Sequence, residues 1–138
     1  SSDRGSNPVY HLGEELNFVV ELAKDAWLYC FYLNANSELI KIFPNKHHTD
    51  TQMQGPKIHT IPGRRLFPFV LRVKKPLGME ALKCFAVGSD LVDKLPATIK
   101  GMDFTPLPEH MIYDLSASMR RYANGDISEA AMVVTVEK

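Results

Sequence analysis

The sequence predicts a mainly β fold: an antiparallel β-sandwich of the immunoglobulin-like type, with about seven strands and one late helix packed on it. Short segments with strand-like composition recur along the chain and are separated by turn residues, whereas only one segment has helical periodicity. Helices and strands do not alternate, which disfavours a parallel α/β sheet. The 138 residues have the length of one domain. We therefore expect a flexible lead-in at residues 1–8 and a single β-sandwich domain at residues 9–138.

The first half of the chain contains the clearest strand patterns. Apolar and polar residues alternate from Leu16 to Leu22, which is typical of a half-buried strand. The segment from Trp27 to Leu33 is apolar on both sides and indicates a central strand covered on both faces. Turn residues follow at 34–37, and we predict that residues 39–43 pair with this central strand as a hairpin.

The second half contains shorter strands and the helix. Strands are predicted at 57–61, 66–73 and 79–87, and Pro68 in the second of these indicates a sheet edge. Pro108 is suited to the first position of a helix that Asn124 and Gly125 end. Its core-facing stripe is predicted to be Met111, Leu115, Met119 and Tyr122. The helix is expected to cover an open edge or face, and residues 131–137 to form a last strand.

Charge and hydropathy exclude several classes of protein. The 16 basic and 16 acidic side chains cancel, so the chain has no electrostatic footprint for nucleic acid. No apolar run approaches the roughly 20 residues that span a bilayer, and no signal-peptide pattern is present, so direct membrane insertion is not expected. The polar N-terminus suggests an excised domain with any targeting signal upstream. No glycine spacing matches a phosphate-binding loop, and we expect no cofactor.

The two cysteines both lie in predicted strands. Cys84 occupies the middle of the strand at 79–87, on its apolar face. We predict either a disulfide between Cys30 and Cys84, which requires an oxidising compartment, or two buried free thiols. A catalytic thiol is disfavoured because neither strand offers a neighbouring histidine or a helix N-terminus. Around Cys30, strand geometry sends two sets of side chains to opposite faces: Trp27, Tyr29 and Phe31 to one, and Leu28, Cys30 and Tyr32 to the other.

Several segments occur in a recognisable order: PVYHLGEELNFVV at 8–20, WLYCFYLNANSELIKIFPN at 27–45, GPKIHTIPG at 55–63, GMEALKCFAVGSDL at 78–91 and DFTPLP at 103–108. This order resembles a bacterial family catalogued as domain of unknown function 4384. The resemblance implies a β-rich accessory module of envelope lipoproteins or of caspase-like and kinase-like proteins. It also implies a periplasmic or envelope location, with the cytoplasm as the alternative, and it transfers no catalytic residues.

We therefore expect a non-enzymatic protein–protein interaction or assembly module of a larger bacterial envelope or signalling protein, with a protein or cell-wall partner. A sheet edge or the loop at 46–56 is the predicted contact surface, because loops and edges on a rigid scaffold commonly carry binding. The candidate binding residues are Tyr29, Tyr32, Phe43, Asn45, Lys46, His47 and His48.

Two other functions are compatible with the same residues. The first is a metal-assisted hydrolase on the 46–59 loop, where His47, His48, Asp50 and His59 have the residue types of metal ligands. Solvated side chains are the simpler interpretation of that loop. The second is a glycan-binding or cell-wall-binding module that uses exposed Tyr29 and Tyr32, which burial of both rings would exclude.

Two carboxylates stand beside predicted turns, Glu14 after Gly13 and Asp90 after the strand at 79–87. A pair of carboxylates across a cleft could serve acid–base chemistry. A turn-capping role, in which carboxylate oxygens accept backbone N–H groups, is the preferred interpretation for each.

Overall fold

The structure, a computed structural model, describes residues 4, 7–45, 51–61, 71–100 and 106–138. Half of the described residues lie in strands and 17% in helices, so the predicted mainly β fold is confirmed. The strands are β1 (Val9–His11), β2 (Glu15–Leu16), β3 (Phe18–Leu22), β4 (Ala26–Leu33), β5 (Glu38–Phe43), β6 (Gln52–Met53), β7 (Lys57–Ile61), β8 (Leu71–Arg72), β9 (Gly78–Val87), β10 (Leu107–Pro108) and β11 (Ile127–Glu137). The helical elements are a 3₁₀ turn (Val92–Lys94), α1 (Ala97–Lys100) and α2 (Met111–Ala123).

The main sheet has seven strands in the order β1-β11-β9-β4-β5-β10, and β6 pairs with β4 next to β5. The predicted hairpin of β4 and β5 is confirmed, with an irregularity in register between Cys30 and Phe31. β1 pairs with β11 in parallel, which departs from the predicted wholly antiparallel arrangement. These two strands come from opposite ends of the chain, so no tight turn constrains their relative direction.

Two short antiparallel ladders lie apart from the main sheet. β2 pairs with β8, and β3 pairs with β7. Asn17 separates β2 from β3, so the single strand predicted from Leu16 to Leu22 is divided between two partners. Of the strand predicted at 66–73, only residues 71–73 belong to the described part of the chain, and Pro68 lies outside it.

The main sheet buries side chains on both faces. One cluster contains Leu28, Cys30 and Tyr32 together with residues of the two ladders, and the other contains Tyr29 and Phe31 together with α2. The predicted alternation of side chains along β4 is therefore confirmed. Because β4 is covered on both faces, its sequence lacks the polar positions of a strand with one solvated face.

Helix α2 covers the face of the sheet that carries Tyr29 and Phe31. Leu115 and Met119 are buried, as the helical stripe predicted, whereas Tyr122 is 41% exposed and lies beneath the ammonium of Lys94. Pro108 is not helical, because it pairs with Glu38 in β10, and the helix begins three residues later. Asn124 adopts a left-handed conformation with φ of 52° and ends the helix, as predicted.

Candidate functional site

The outer edge of β11 is only partly covered. One side of β11 pairs with β9 along nearly the whole strand, from Ile127 to Val136. The other side pairs with β1 only over Thr135–Glu137, and the Thr135 N–H donates to the carbonyl of Pro8 at 3.1 Å. Between residues 128 and 134, no strand in the described part of the chain lies along this outer side.

The direction of the backbone groups on this edge follows from Thr135. The N–H and C=O of one strand residue point to the same side, and the side alternates from one residue to the next. Because Thr135 points away from β9, Val133, Ala131 and Glu129 point outward as well, and Ala130 faces β9. These three residues make no backbone hydrogen bond to any other described segment on that side. As far as the described segments go, their outward N–H and C=O groups form an unpaired row of donors and acceptors that a further strand could pair with.

Apolar side chains flank the open edge on the sheet face that α2 partly covers. Val133 is 41% exposed and lies opposite Ala81, and Met79 is 68% exposed and lies opposite Thr135. Native edge strands are commonly protected by lysine, proline or a bulge. The segment SEAAMV at 128–133 contains neither lysine nor proline, and its pairing with β9 has no irregularity.

Charged groups mark the other end of the open edge. Arg120 on α2 holds Glu129 with two hydrogen bonds, each 3.0 Å long. The ammonium of Lys83 lies 3.6 Å from the same carboxylate. The carboxylate of Glu129 is thus paired with two cations of the chain, so it is not an unpaired negative charge at the edge.

A cleft of about 570 Å³ lies on the opposite side of the main sheet, next to the hairpin of β4 and β5. Leu16, Ile42 and Val73 form buried parts of its wall, and Ile40 and Leu71 are half-buried in it. The polar residues in the wall are Tyr32, Asn34, Glu38, Arg72, Lys74, Lys75 and Glu80.

Tyr32 and Glu80 form the buried polar part of this wall. The Tyr32 hydroxyl donates to one oxygen of Glu80, and the backbone N–H of Ala35 donates to the other oxygen at 2.7 Å. Burial, together with this hydrogen bond to a carboxylate, raises the pKa of Tyr32 above its usual range. The hydroxyl therefore stays protonated, and it acts as a donor.

Tyr29 is also buried and fully hydrogen-bonded. Its hydroxyl accepts the backbone N–H of Leu91 at 2.7 Å and lies 3.3 Å from an oxygen of Asp90, to which it donates. Burial raises the pKa of Tyr29 above its usual value. The relative exposure is 0% for Tyr29 and 9% for Tyr32. Neither ring offers a face for stacking on a sugar, so the glycan-binding alternative loses the surface on which it depended.

Phe43 and Asn45, two other candidate binding residues, belong to the interior. Phe43 is fully buried, and Asn45 is 3% exposed and donates from Nδ2 to the carbonyl of Ile42 at 2.9 Å. Both side chains hold the end of β5 in place. Only the second part of the predicted contact loop is described, and there Met53 is buried and the carbonyl of Thr51 accepts the N–H of Leu28 at 2.8 Å.

The histidine cluster predicted as an alternative metal site is largely outside the described residues. Lys46, His47, His48 and Asp50 all belong to residues 46–50, which the description does not include. Nε2 of His59 lies 2.8 Å from the carbonyl of Gln54. Within the described ranges, no group of three or more histidine, cysteine, aspartate and glutamate side chains could hold a metal ion.

The turn-capping interpretation of the two carboxylates agrees with the geometry. Glu14 accepts the backbone N–H of His11 at 2.6 Å, and Asp90 accepts that of Val92 at 3.0 Å. The guanidinium of Arg4 also binds Glu14, and these hydrogen bonds lower the pKa of Glu14 to about 2. Of the predicted flexible lead-in, Arg4, Asn7 and Pro8 are described; residues 1–3, 5 and 6 lie outside the description.

Cys30 and Cys84 form a disulfide, which is one of the two possibilities predicted from the sequence. They are directly opposite each other on β4 and β9, with Cα atoms 4.2 Å apart, and both are buried. The bond joins neighbouring strands at the centre of the main sheet. It lies in the same interior cluster as Tyr32, and both cysteines are buried.

Comparison with known proteins identifies the family but not the activity. A family model described as a domain of unknown function (DUF4384) matches residues 9–89, from β1 to the end of β9. Searches of curated proteins and of solved structures gave no significant match. None of the helices in the described ranges is both long enough and apolar enough to cross a bilayer. The family model spans more than half of the residues of this chain, so the chain belongs to the DUF4384 family.

Proposed function

We propose that this chain is a non-enzymatic interaction or assembly module of a larger bacterial envelope or signalling protein, and that it binds an extended segment of a protein partner along the outer edge of β11. The observation that carries the proposal is the row of outward backbone groups at Glu129, Ala131 and Val133, which no described segment pairs. Addition of a strand to an open sheet edge is a common mode of peptide recognition.

The side chains around the edge define the segment that fits. Val133, Ala81 and Met79 favour an incoming strand whose side chains on that face are apolar near the Thr135 end of β11. The ion pairs of Glu129 with Arg120 and Lys83 favour a polar residue at the other end. When a strand is added to a sheet edge, main-chain hydrogen bonds supply the affinity, and alternate side chains of the added strand supply the specificity.

The disulfide supports an extracytoplasmic location for the module. Disulfides persist in oxidising compartments such as the bacterial periplasm and are rare in the cytosol. Cys30 and Cys84 pair within the interior of the main sheet, where a stable structural bond is expected. Thiol counting on protein isolated from the producing bacterium under denaturing, non-reducing conditions tests this location, and two free thiols would contradict it.

We interpret the two ladders as the second layer of an immunoglobulin-like sandwich. The interior cluster that contains Phe18, Ile61 and Val73 separates the ladders from the main sheet, as the core of a sandwich separates its two sheets.

The test of the binding edge uses two substitutions at one position. Ala131→Pro removes an outward N–H without removing a hydrogen bond to β9, whereas Ala131→Ser keeps the N–H. Proteins captured from an envelope extract of the producing bacterium should be retained by the wild type and by the serine variant, and lost by the proline variant.

Two further measurements distinguish binding at the edge of β11 from binding at the loop of residues 46–56. Hydrogen exchange at Ala131 and Val133 should be fast in the isolated chain and slow in the complex with the captured partner. Deletion of residues 46–50 should leave capture unchanged. If the proline variant keeps the partner while the deletion loses it, the contact surface is the loop, and the assignment to β11 is wrong.

A further inference from the structure

The cleft beside the β4–β5 hairpin has the size and lining of a small-molecule site. Its volume of about 570 Å³ falls within the range of roughly 300–1,000 Å³ that is usual for ligand pockets. Ile40, Ile42 and Leu71 supply aliphatic surface, and Ile40 and Leu71 remain half-exposed within it. Half-exposed aliphatic side chains in a concave wall favour an apolar ligand body.

The acidic groups of the cleft are engaged within the protein. Both oxygens of Glu80 accept hydrogen bonds, from Tyr32 and from Ala35. Oε1 of Glu38 accepts the side-chain amides of Asn34 at 3.0 Å and Asn36 at 3.3 Å. These carboxylates organise the hairpin turn, so the cleft has little acceptor capacity left for a cationic ligand.

The cationic groups of the cleft, unlike its acidic groups, are only partly engaged by hydrogen bonds or ion pairs with other described residues. Arg72 donates to the carbonyl of Gly13 at 3.1 Å and lies 3.5 Å from Glu15, so it is engaged. Lys74 and Lys75 are exposed at the rim, and neither has a hydrogen-bond or ion-pair partner among the described residues. Each ammonium offers three donors and no acceptor. Apart from Oε2 of Glu38, which has no hydrogen bond among the described residues, the free polar capacity of the cleft therefore consists of donors with positive charge.

We propose that this cleft binds a small amphiphile with one anionic group and an aliphatic body, of the class of medium-chain alkyl carboxylates. The aliphatic chain lies against Ile40, Ile42 and Leu71, and the carboxylate faces Lys74 and Lys75. The site is independent of the proposed strand addition, because β9 and β4 separate β11 from β5 in the main sheet.

Three probes separate the contributions of chain and charge. Decanoate carries both, decanol carries the chain alone, and acetate carries the charge alone. In NMR titrations below the micelle concentration, decanoate should shift the amide signals of residues 71–75 and of Ile40 and Ile42. Decanol should bind about tenfold more weakly, and acetate should give no saturable shift.

Two matched double-lysine variants test which ammonium groups bind the carboxylate of decanoate. Lys74→Gln combined with Lys75→Gln should weaken decanoate about tenfold, to the level of decanol, and leave decanol binding unchanged. Lys57→Gln combined with Lys138→Gln removes the same charge from exposed positions outside the cleft and should change neither affinity. Ile40→Thr should weaken both decanoate and decanol, because it shortens the aliphatic wall.

Three results would overturn the proposal. The first is equal affinity for decanoate and decanol. The second is an equal loss of decanoate affinity in the two double-lysine variants, which would indicate long-range charge only. The third is a set of shifted signals outside the cleft. The Ile40→Thr variant is not needed for the charge comparison, so a folding defect in that variant leaves the test intact.

Discussion

The hydroxyl of Tyr32 donates to the buried carboxylate of Glu80, whose other oxygen accepts the backbone N–H of Ala35 at 2.7 Å. This chain of hydrogen bonds joins β4, β9 and the turn between β4 and β5. Glu80 is only 6% exposed, and no cation in the described ranges forms an ion pair with it. The two donors are therefore the means by which its buried oxygens are satisfied.

Removal of the Tyr32 hydroxyl should destabilise the protein. Tyr32→Phe leaves one oxygen of Glu80 buried without a donor, at a cost of about 1–3 kcal/mol. Tyr113→Phe is the matched control, since Tyr113 is 75% exposed, and should cost close to nothing. Urea unfolding of both variants measures the difference, and equal stabilities would show that the Tyr32–Glu80 contact contributes nothing net.

Reduction of the disulfide should lower stability through the unfolded state. The bond links residues separated by 54 positions, and loop-closure entropy for such a loop is worth about 4 kcal/mol. Denaturant unfolding of the same protein with and without reductant should differ by about this amount. A Cys30→Ala/Cys84→Ala variant should show no effect of reductant, and a wild type that is insensitive to reductant would argue against the bond.

The ion pair of Arg4 and Glu14 predicts a specific dependence on pH. Hydrogen bonds from Arg4 and from the His11 backbone lower the pKa of Glu14 from 4.5 to about 2. A lowered pKa stabilises the folded state above the unfolded value, and the contribution disappears as the pH falls through the folded value. The stability difference between wild type and Glu14→Gln should thus be constant above pH 4.5 and vanish towards pH 2.

Thermal unfolding at pH values from about 2 to above 4.5 measures the stability difference between the wild type and Glu14→Gln, with Glu21→Gln as the control. Glu21 is exposed on β3 and has no side-chain partner among the described contacts, so this variant should show no such profile. If the Glu14→Gln difference grows as the pH falls, the sign of the proposed effect is wrong.

The alternation of backbone direction along β11 predicts opposite tolerance of proline at adjacent positions. Ala130→Pro removes an N–H that faces β9 and should cost about 1–3 kcal/mol or more, because the ladder loses a donor and a carbonyl of β9 loses its partner. Ala131→Pro removes an outward N–H and should cost much less. Comparable destabilisation by both variants would contradict the open edge, and denaturant unfolding decides between them.

Packing of α2 on the sheet depends on Leu115, which is fully buried. Leu115→Ala should destabilise the protein by about 2–5 kcal/mol, because the substitution removes buried methyl groups and leaves a cavity. Tyr113→Ala lies on the exposed side of the same helix and should be nearly neutral apart from helix propensity. Urea unfolding compares the free energies of unfolding of the two variants. Similar losses of stability would mean that α2 is not anchored through Leu115.

Local patterns predicted the strands of the interior well. The uninterrupted apolar segment of β4 predicted a central strand, and its alternation assigned Cys30 and Tyr29 to opposite faces, as observed. The turn at 34–37 and the helix end at Asn124 also follow from local backbone preferences. Tyr29 and Tyr32 were predicted as candidate binding residues, but both rings are buried, and composition does not reveal whether an aromatic ring is covered.

The open edge of β11 could not have been found in the same way. The sequence indicated a last strand at 131–137, but the strand begins at Ile127, where alanines and Glu129 give no β signal. The pairing of its two sides depends on β9 and β1, which are distant in sequence. The cleft likewise brings together β5, β8 and β9, which no local pattern relates.

The amino-acid sequence by itself determined the β-rich class, the hairpin of β4 and β5, the inward direction of both cysteines and the family resemblance, because each rests on residues that are neighbours in the chain. Only the tertiary structure decided that Cys30 lies opposite Cys84, that Glu80 accepts a hydrogen bond from the hydroxyl of Tyr32, and that one side of β11 is paired by the described strands only at Thr135–Glu137. These relationships depend on the register between distant strands, which is set when the whole sheet packs and not by any single segment.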